Sequence, residues 1–152
     1  MSDWFEGSNE IECTIEQVKH ALENLGEHYV GVISLMPGLT SVKLVEQERD
    51  FVILRTNEGL MKRTNITKHI EAERVVVEFD EEYHAGSMIT TMSHILDEFE
   101  FTTSGRGVKH HIVMSNVESS GCMGFFYRKF GKSNTGNAYL KIYKTYFEKQ
   151  NP

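Results

Sequence analysis

After a short opening alternation, apolar residues recur along this chain at helical spacing, then at a spacing of two, and finally at helical spacing again. Asn9 to Thr14 alternates Ile11 and Cys13 with polar neighbours and predicts an opening strand. Thr14-Ile15-Glu16-Gln17 has the form of a capping box, and Ile15, Val18, Leu22 and Leu25 then fall three to four apart, the buried stripe of a helix. Gly26 is placed to end that helix. Tyr29-Val30-Gly31-Val32-Ile33 suits a strand by its residue types and a second short helix by its position before Pro37-Gly38, so both readings stay open.

Past Pro37-Gly38 the period is two. Val42 and Leu44 alternate with Lys43 and Val45, Phe51 to Thr56 is an apolar run containing Val52 and Leu54, and Leu60 to Thr67 sets Thr64 and Ile66 opposite Arg63 and Asn65. Val75, Val77 and Phe79 predict the inner face of the next strand. His84 to His94 fits strand or loop. Phe99, Phe101 and Thr103 alternate with acidic and polar residues, Ser104-Gly105-Arg106-Gly107 turns, and Val108, His110, Ile112 and Met114 alternate on the return. Joins this short and polar predict an antiparallel meander.

The last stretch, from Gly121, carries two aromatic stripes. Met123, Phe126, Tyr127 and Phe130 form one; Tyr139, Ile142, Tyr143, Tyr146 and Phe147 form the other. Gly131 to Gly136 lies between them and suits one helical turn ending and another starting. A sheet of this kind has one face to bury, and the terminal helix is the large amphipathic element available to cover it. The expected fold is α+β: a curved antiparallel sheet of about seven strands wrapped around a long C-terminal helix, with one or two short helices after the first strand, as a single domain over residues 1–152.

Composition narrows the function classes. With 39% hydrophobic and 25% charged residues the chain is an ordinary globular sequence with no apolar run of membrane-spanning length. It opens Met1-Ser2-Asp3-Trp4-Phe5-Glu6, acidic where a signal peptide would be basic, so a cytoplasmic protein is expected. Cys13 and Cys122 are far apart and suggest neither a disulfide framework nor a zinc site. The net charge is −6, while Arg128, Lys129, Lys132, Lys141, Lys144 and Lys149 face only Glu148 in the last stretch. An acidic body disfavours nucleic-acid binding; the basic helix leaves room for transient contact with an anionic membrane or an acidic partner, the plainer reading being a solvated face.

Catalytic and metal signals are weak. His110 and His111 are adjacent on a strand and point to opposite faces, and no histidine pair has ligand spacing, so no metal or cofactor is expected. His110 alternates with Ile112 and Met114 and so faces inward, where it suits a hydrogen-bonded core position or a polar contact to a ligand. Ser93-His94 with Asp97 has hydrolase residue types without the nucleophile elbow.

The order of elements, the passage Ile11-Glu12-Cys13-Thr14-Ile15-Glu16-Gln17-Val18, and Gly124-Phe125-Phe126-Tyr127-Arg128-Lys129-Phe130-Gly131 before the terminal helix resemble the START-like superfamily, also described as Bet v 1-like or polyketide cyclase and lipid-transport proteins. The resemblance covers nearly the whole chain and rests on packing patterns, not on catalytic signatures. It implies the helix-grip fold and a hydrophobic small molecule, lipid-like, isoprenoid or aromatic, held between sheet and terminal helix. No catalytic motif of the superfamily's enzymes is present, so binding is expected ahead of acid-base chemistry or a protein-interaction role; the oligomeric state is left open. The candidate ligand-binding residues are Val42, Leu44, Val52, Leu54, Thr64, Ile66, Val77 and Phe79 on the earlier strands, and Phe99, Phe101, His110, Ile112 and Met114 on the later ones. Met123, Phe126, Phe130, Tyr139 and Tyr143 complete the set from the terminal segment. Periodicity shows that these residues face inward and leaves open whether the inside is hollow or filled by them.

Overall fold

The structure, a computed structural model, describes residues 3–85, 89–102, 107–119 and 132–149. Its elements run β1 (Asp3–Ile11), α1 (Ile15–Ala21), α2 (Leu25–Ile33), β2 (Val42–Glu48), β3 (Phe51–Thr56), β4 (Gly59–Ile70), β5 (Arg74–Ala85), β6 (Ile89–Phe101), β7 (Val108–Ser119) and α3 (Lys132–Lys149). The strands form one seven-stranded antiparallel sheet in the order β1-β7-β6-β5-β4-β3-β2, a meander closed by β1 on its last strand. The helices lie on its inner face: α3 packs along β1, β7 and α2, while α2 packs on β2 and β3.

Local chemistry sets the helix starts. The Thr14 hydroxyl accepts the Gln17 N–H at 3.1 Å and the Gln17 side chain accepts the Thr14 N–H at 2.9 Å, which completes the capping box of α1. The ambiguous stretch is helical, because Asn24 Oδ1 caps the Glu27 N–H at 3.1 Å and Leu25, His28, Tyr29 and Val32 bury one helical face. Gly26 does not end α1, which stops at Ala21. It belongs to the first turn of α2, and its bare Cα lets β2 approach: its N–H donates to Gln47 Oε1 at 3.0 Å, and a Cβ there would sit 2.8 Å from the Leu44 side chain. Gly136, expected in a break, lies inside the continuous helix α3. The Phe5 ring of β1 packs where its side chain would be, 2.3 Å from a built Cβ.

Bulges bend the sheet and change the phase of its strands. Pairing of β4 with β5 shifts between Thr64 and Thr67, with Asn65 at φ 53°, a left-handed conformation that asparagine tolerates. The consequence is a correction. Thr64 is exposed and Arg63 is buried, because the extra residue carries the inward positions from Met61 and Arg63 directly to Ile66. Phe101 is also not interior: it pairs with Val108 of β7, but β5 begins at Arg74 opposite Glu100, so Phe101 lies one residue beyond the β5 pairing and is 42% exposed.

The core lies between sheet and helices. Val52, Leu54, Val77, Phe79, Phe99, Ile112 and Met114 from the strands meet Tyr139, Leu140, Tyr143 and Phe147 of α3, all buried. Burying one such large side chain contributes about 1.5–3 kcal/mol. The basic face of α3 is partly engaged: Lys144 donates to the Glu10 carbonyl at 2.9 Å and to Glu148 at 2.6 Å, and Glu148 also accepts the Glu12 N–H at 2.9 Å. No helix among the described residues is long and apolar enough to cross a membrane.

Candidate functional site

A row of polar side chains crosses the apolar inner face. Inward positions on β4, β5, β6 and β7 include Arg63, Glu81, Asp97 and His110, none of them more than 8% exposed. Arg63 stands directly opposite Glu81 in the β4–β5 register, and its Nε and Nη2 donate to Glu81 Oε2 at 3.1 and 2.8 Å. Its guanidinium lies between the Tyr29 and Phe79 rings, 4.5 Å from each centroid, a geometry in which both faces of the cation meet π-density. Burial opposes its charge, but Glu81 and the surrounding tyrosine hydroxyls outweigh that and hold its pKa well above the ordinary arginine value. The Tyr139 hydroxyl reaches Glu81 Oε2 at 3.3 Å and Oε1 at 3.4 Å.

One layer deeper, His110 Nε2 bonds Asp97 Oδ1 at 2.7 Å, and its ring stacks on Phe99 with centroids 4.5 Å apart. Tyr143 donates to the other Asp97 oxygen at 3.5 Å. His28 is buried among Tyr29, Tyr143, Tyr146 and Phe147, where burial, with the charges of Arg63 and His110, pushes its pKa down to about 3 and keeps the ring neutral.

Beside this polar row is a cavity of about 380 Å³. Ile33, Met36, Pro37 and Leu39 wall one side, Met61, Glu81, Tyr83, Ala85 and Thr91 of the sheet another, and Thr135, Ala138 and Tyr139 of α3 the third, with Glu58 at the rim. Its volume is within the small-molecule range, and its walls are mainly apolar with a few converging polar groups. The Tyr83 hydroxyl lies 2.9 Å from both Glu58 Oε1 and Thr56 Oγ1; burial, opposed by the Thr56 bond and reinforced by Glu58, pushes its pKa up to about 12, so it stays a neutral donor.

Of the residues expected to bind ligand, Tyr139 lines this cavity. Val52, Leu54, Ile66, Val77, Phe79, Phe99, His110, Ile112, Met114 and Tyr143 are buried as core and fill the interior themselves. Val42 is half-buried at the sheet edge, Leu44 is 40% exposed on edge strand β2, and Thr64 and Phe101 lie outside the core. Met123, Phe126 and Phe130 lie outside the described residues. Glu81 was not among the expected site residues, Arg63 was expected on the outer face, and Asp97 was considered only beside Ser93 and His94, although extending the alternation of Val75, Val77 and Phe79 by one step reaches Glu81, and stepping back from Phe99 reaches Asp97.

The outer face holds a separate arrangement. His94 Nδ1 lies 2.8 Å from Asp80 Oδ1 and Nε2 lies 2.5 Å from Glu78 Oε2. Asp97 faces the interior, so Ser93, His94 and Asp97 form no triad. Among the described residues no group of three or more His, Cys, Asp or Glu is arranged to hold a metal ion. Burial alone would lower the His94 pKa, but its bonds to Asp80 and Glu78 raise it above 6.5. Asp80 is lowered by its bonds from Asn65 and His94. His94 therefore stabilises the fold fully below pH 6.5 and loses that contribution as pH rises through its raised value; the Asp80 contribution is lost as pH falls through its depressed one. A titration of the His94 Cε1 proton by NMR should give a midpoint above 6.5, and His94→Gln should remove part of the pH dependence of unfolding in that window. A midpoint at or below 6.5 would refute the double clamp.

No known sequence family matches the chain, and no curated protein matches it in sequence. Solved structures do. A conserved protein from Geobacillus kaustophilus superposes with a TM-score of 0.63 at 14% identity, over 95% of this chain and 94% of that one. The chain has the helix-grip α+β fold, a seven-stranded antiparallel sheet receiving a C-terminal helix. A hypothetical protein from Helicobacter pylori matches at TM-score 0.59 and 11% identity, over 95% and 89% of the two chains. The Zhui aromatase/cyclase from a Streptomyces species matches at 0.51 and 9%, over 97% and 94%. At such identities the likeness is one of fold. In this helix-grip chain the cavity lies between sheet and α3.

Proposed function

We propose that this protein binds a small molecule with an apolar body in the cavity between the inner face of β4–β6, the Ile33–Leu39 segment and α3. The observation that carries the reading is the cavity of about 380 Å³, with aliphatic walls and polar groups gathered at Glu58, Glu81, Tyr83 and Tyr139. A lipid-like, isoprenoid or aromatic ligand suits those walls.

Reaction chemistry is not part of the proposal. His110, the inward-facing histidine of β7, is fully buried with its Nε2 held by Asp97, and it does not line the cavity. Membrane contact through α3 is likewise left out, since Tyr139, Leu140, Ile142, Tyr143 and Phe147 already face the core. The proposal places the protein in the cytoplasm, in keeping with Cys13 as a free, buried thiol.

The test is methyl-resolved NMR during titration with decanol, a neutral apolar probe. Shifts confined to Ile33, Met36, Leu39, Met61 and Ala138 support the site. Unmoved cavity methyls, or shifts concentrated on exposed Val45 and Ile70, would overturn it.

A further inference from the structure

We propose that the cavity selects a ligand whose apolar body carries a cationic, hydrogen-bond-donating head, a primary ammonium above all, and that it discriminates against carboxylates. This rests on the reading of the cavity as the binding site and adds the charge class of what it takes.

Two glutamates are the only charged side chains among the described lining residues. Glu81 is 8% exposed and has unequal oxygens. Oε2 takes both Arg63 donors at 3.1 and 2.8 Å, whereas among the described residues Oε1 has only the Tyr139 hydroxyl at 3.4 Å. A carboxylate oxygen accepts two hydrogen bonds, so Oε1 retains acceptor capacity beside the cavity. Arg63 does not line the cavity: Glu81 holds its Nε and Nη2, and its Nη1 is buried with no hydrogen-bond partner among the described residues.

Glu58 at the rim has no cation paired with it among the described residues. Its partner is the Tyr83 hydroxyl at 2.9 Å, which orients the carboxylate without neutralising it. A carboxylate-headed ligand entering here would bring a like charge to Glu58 and Glu81. An ammonium head would instead meet two acceptors, with the Tyr83 and Tyr139 side chains alongside. The chain's net charge of −6 works in the same direction over longer range.

The experiment compares three probes of equal chain length, decylammonium, decanol and decanoate, by isothermal titration calorimetry at neutral pH in low and high salt. Each is kept below its micellar concentration. Wild type, Glu58→Gln and Ala138→Trp are titrated with all three. Decylammonium is expected to bind about tenfold more tightly than decanoate in low salt, with the gap narrowing in high salt and in Glu58→Gln.

Decanoate binding as tightly as decylammonium would overturn the charge preference and leave the cavity reading intact. Equal decylammonium binding in Ala138→Trp, whose new indole occupies the cavity, would mean attachment to the acidic surface and would also overturn the proposal. A gap unaffected by both Glu58→Gln and salt would remove its electrostatic basis. Binding of none of the three would defeat the cavity reading itself, and this inference with it.

Discussion

An Arg63→Met variant is expected to lose about 3–5 kcal/mol of folding stability, while Arg63→Met combined with Glu81→Leu loses far less. Removing only the guanidinium leaves the Glu81 carboxylate 8% exposed, with the Tyr139 hydroxyl as its remaining donor at 3.3–3.4 Å. An uncompensated buried charge is costly because the interior replaces little of the solvation that water supplied. Removing both partners leaves two apolar side chains between Tyr29 and Phe79, where shape and not charge decides the cost. Urea unfolding of the two variants and of Glu81→Leu alone completes the double-mutant cycle. A single-site loss below about 1 kcal/mol, the range of exposed pairs, would show that the pair is hydrated and that the polar row is not sealed.

Ala138→Trp should abolish small-molecule binding while leaving the fold intact. Ala138 is only half-buried and faces the cavity from α3, so a large side chain there has free volume to occupy instead of packed atoms to displace. Decanol affinity is expected to fall by about 2 kcal/mol or more, roughly thirtyfold, with thermal stability close to wild type. Leu54→Trp and Tyr143→Trp, which inward-facing periodicity alone would recommend, should behave in the opposite way. Both positions are at most 2% exposed and lie in filled core, so overpacking there costs about 1–3 kcal/mol of stability. Unchanged decanol affinity in Ala138→Trp would remove α3 from the site.

The sequence made the fold legible because most elements carried a local signal that agreed with their partners. The capping box at Thr14 marked α1, alternation on β5 and β7 marked the concave face, and Tyr139, Tyr143 and Phe147 marked the helix it receives. Where the reading slipped, a tertiary contact had changed the meaning of a residue. Gly136 looked like a helix break but makes room for Phe5; Gly26 looked like a stop but admits Gln47 and Leu44. Thr64 and Arg63 exchanged faces because a bulge adds a residue, and a pattern of period two cannot announce an insertion in its own count.

The site was less legible than the fold for a related reason. Period shows direction, and a side chain pointing inward is equally compatible with filling the interior and with walling a hollow. Phe79, Phe99 and Ile112 fill it. The hollow forms where Met36 and Leu39, in a connecting segment with no period, face the small side chains Ala85 and Ala138. No spacing rule identifies such a meeting of a loop with two alanines from different elements.

The most direct measurement is mass spectrometry of organic extracts from wild-type protein and from Ala138→Trp, both purified from the native source, with a denatured blank. The account expects an apolar compound in stoichiometric amount with the wild type and its absence from the variant. The same compound recovered equally from both would contradict the claim that the cavity beneath α3 is where this protein binds its ligand.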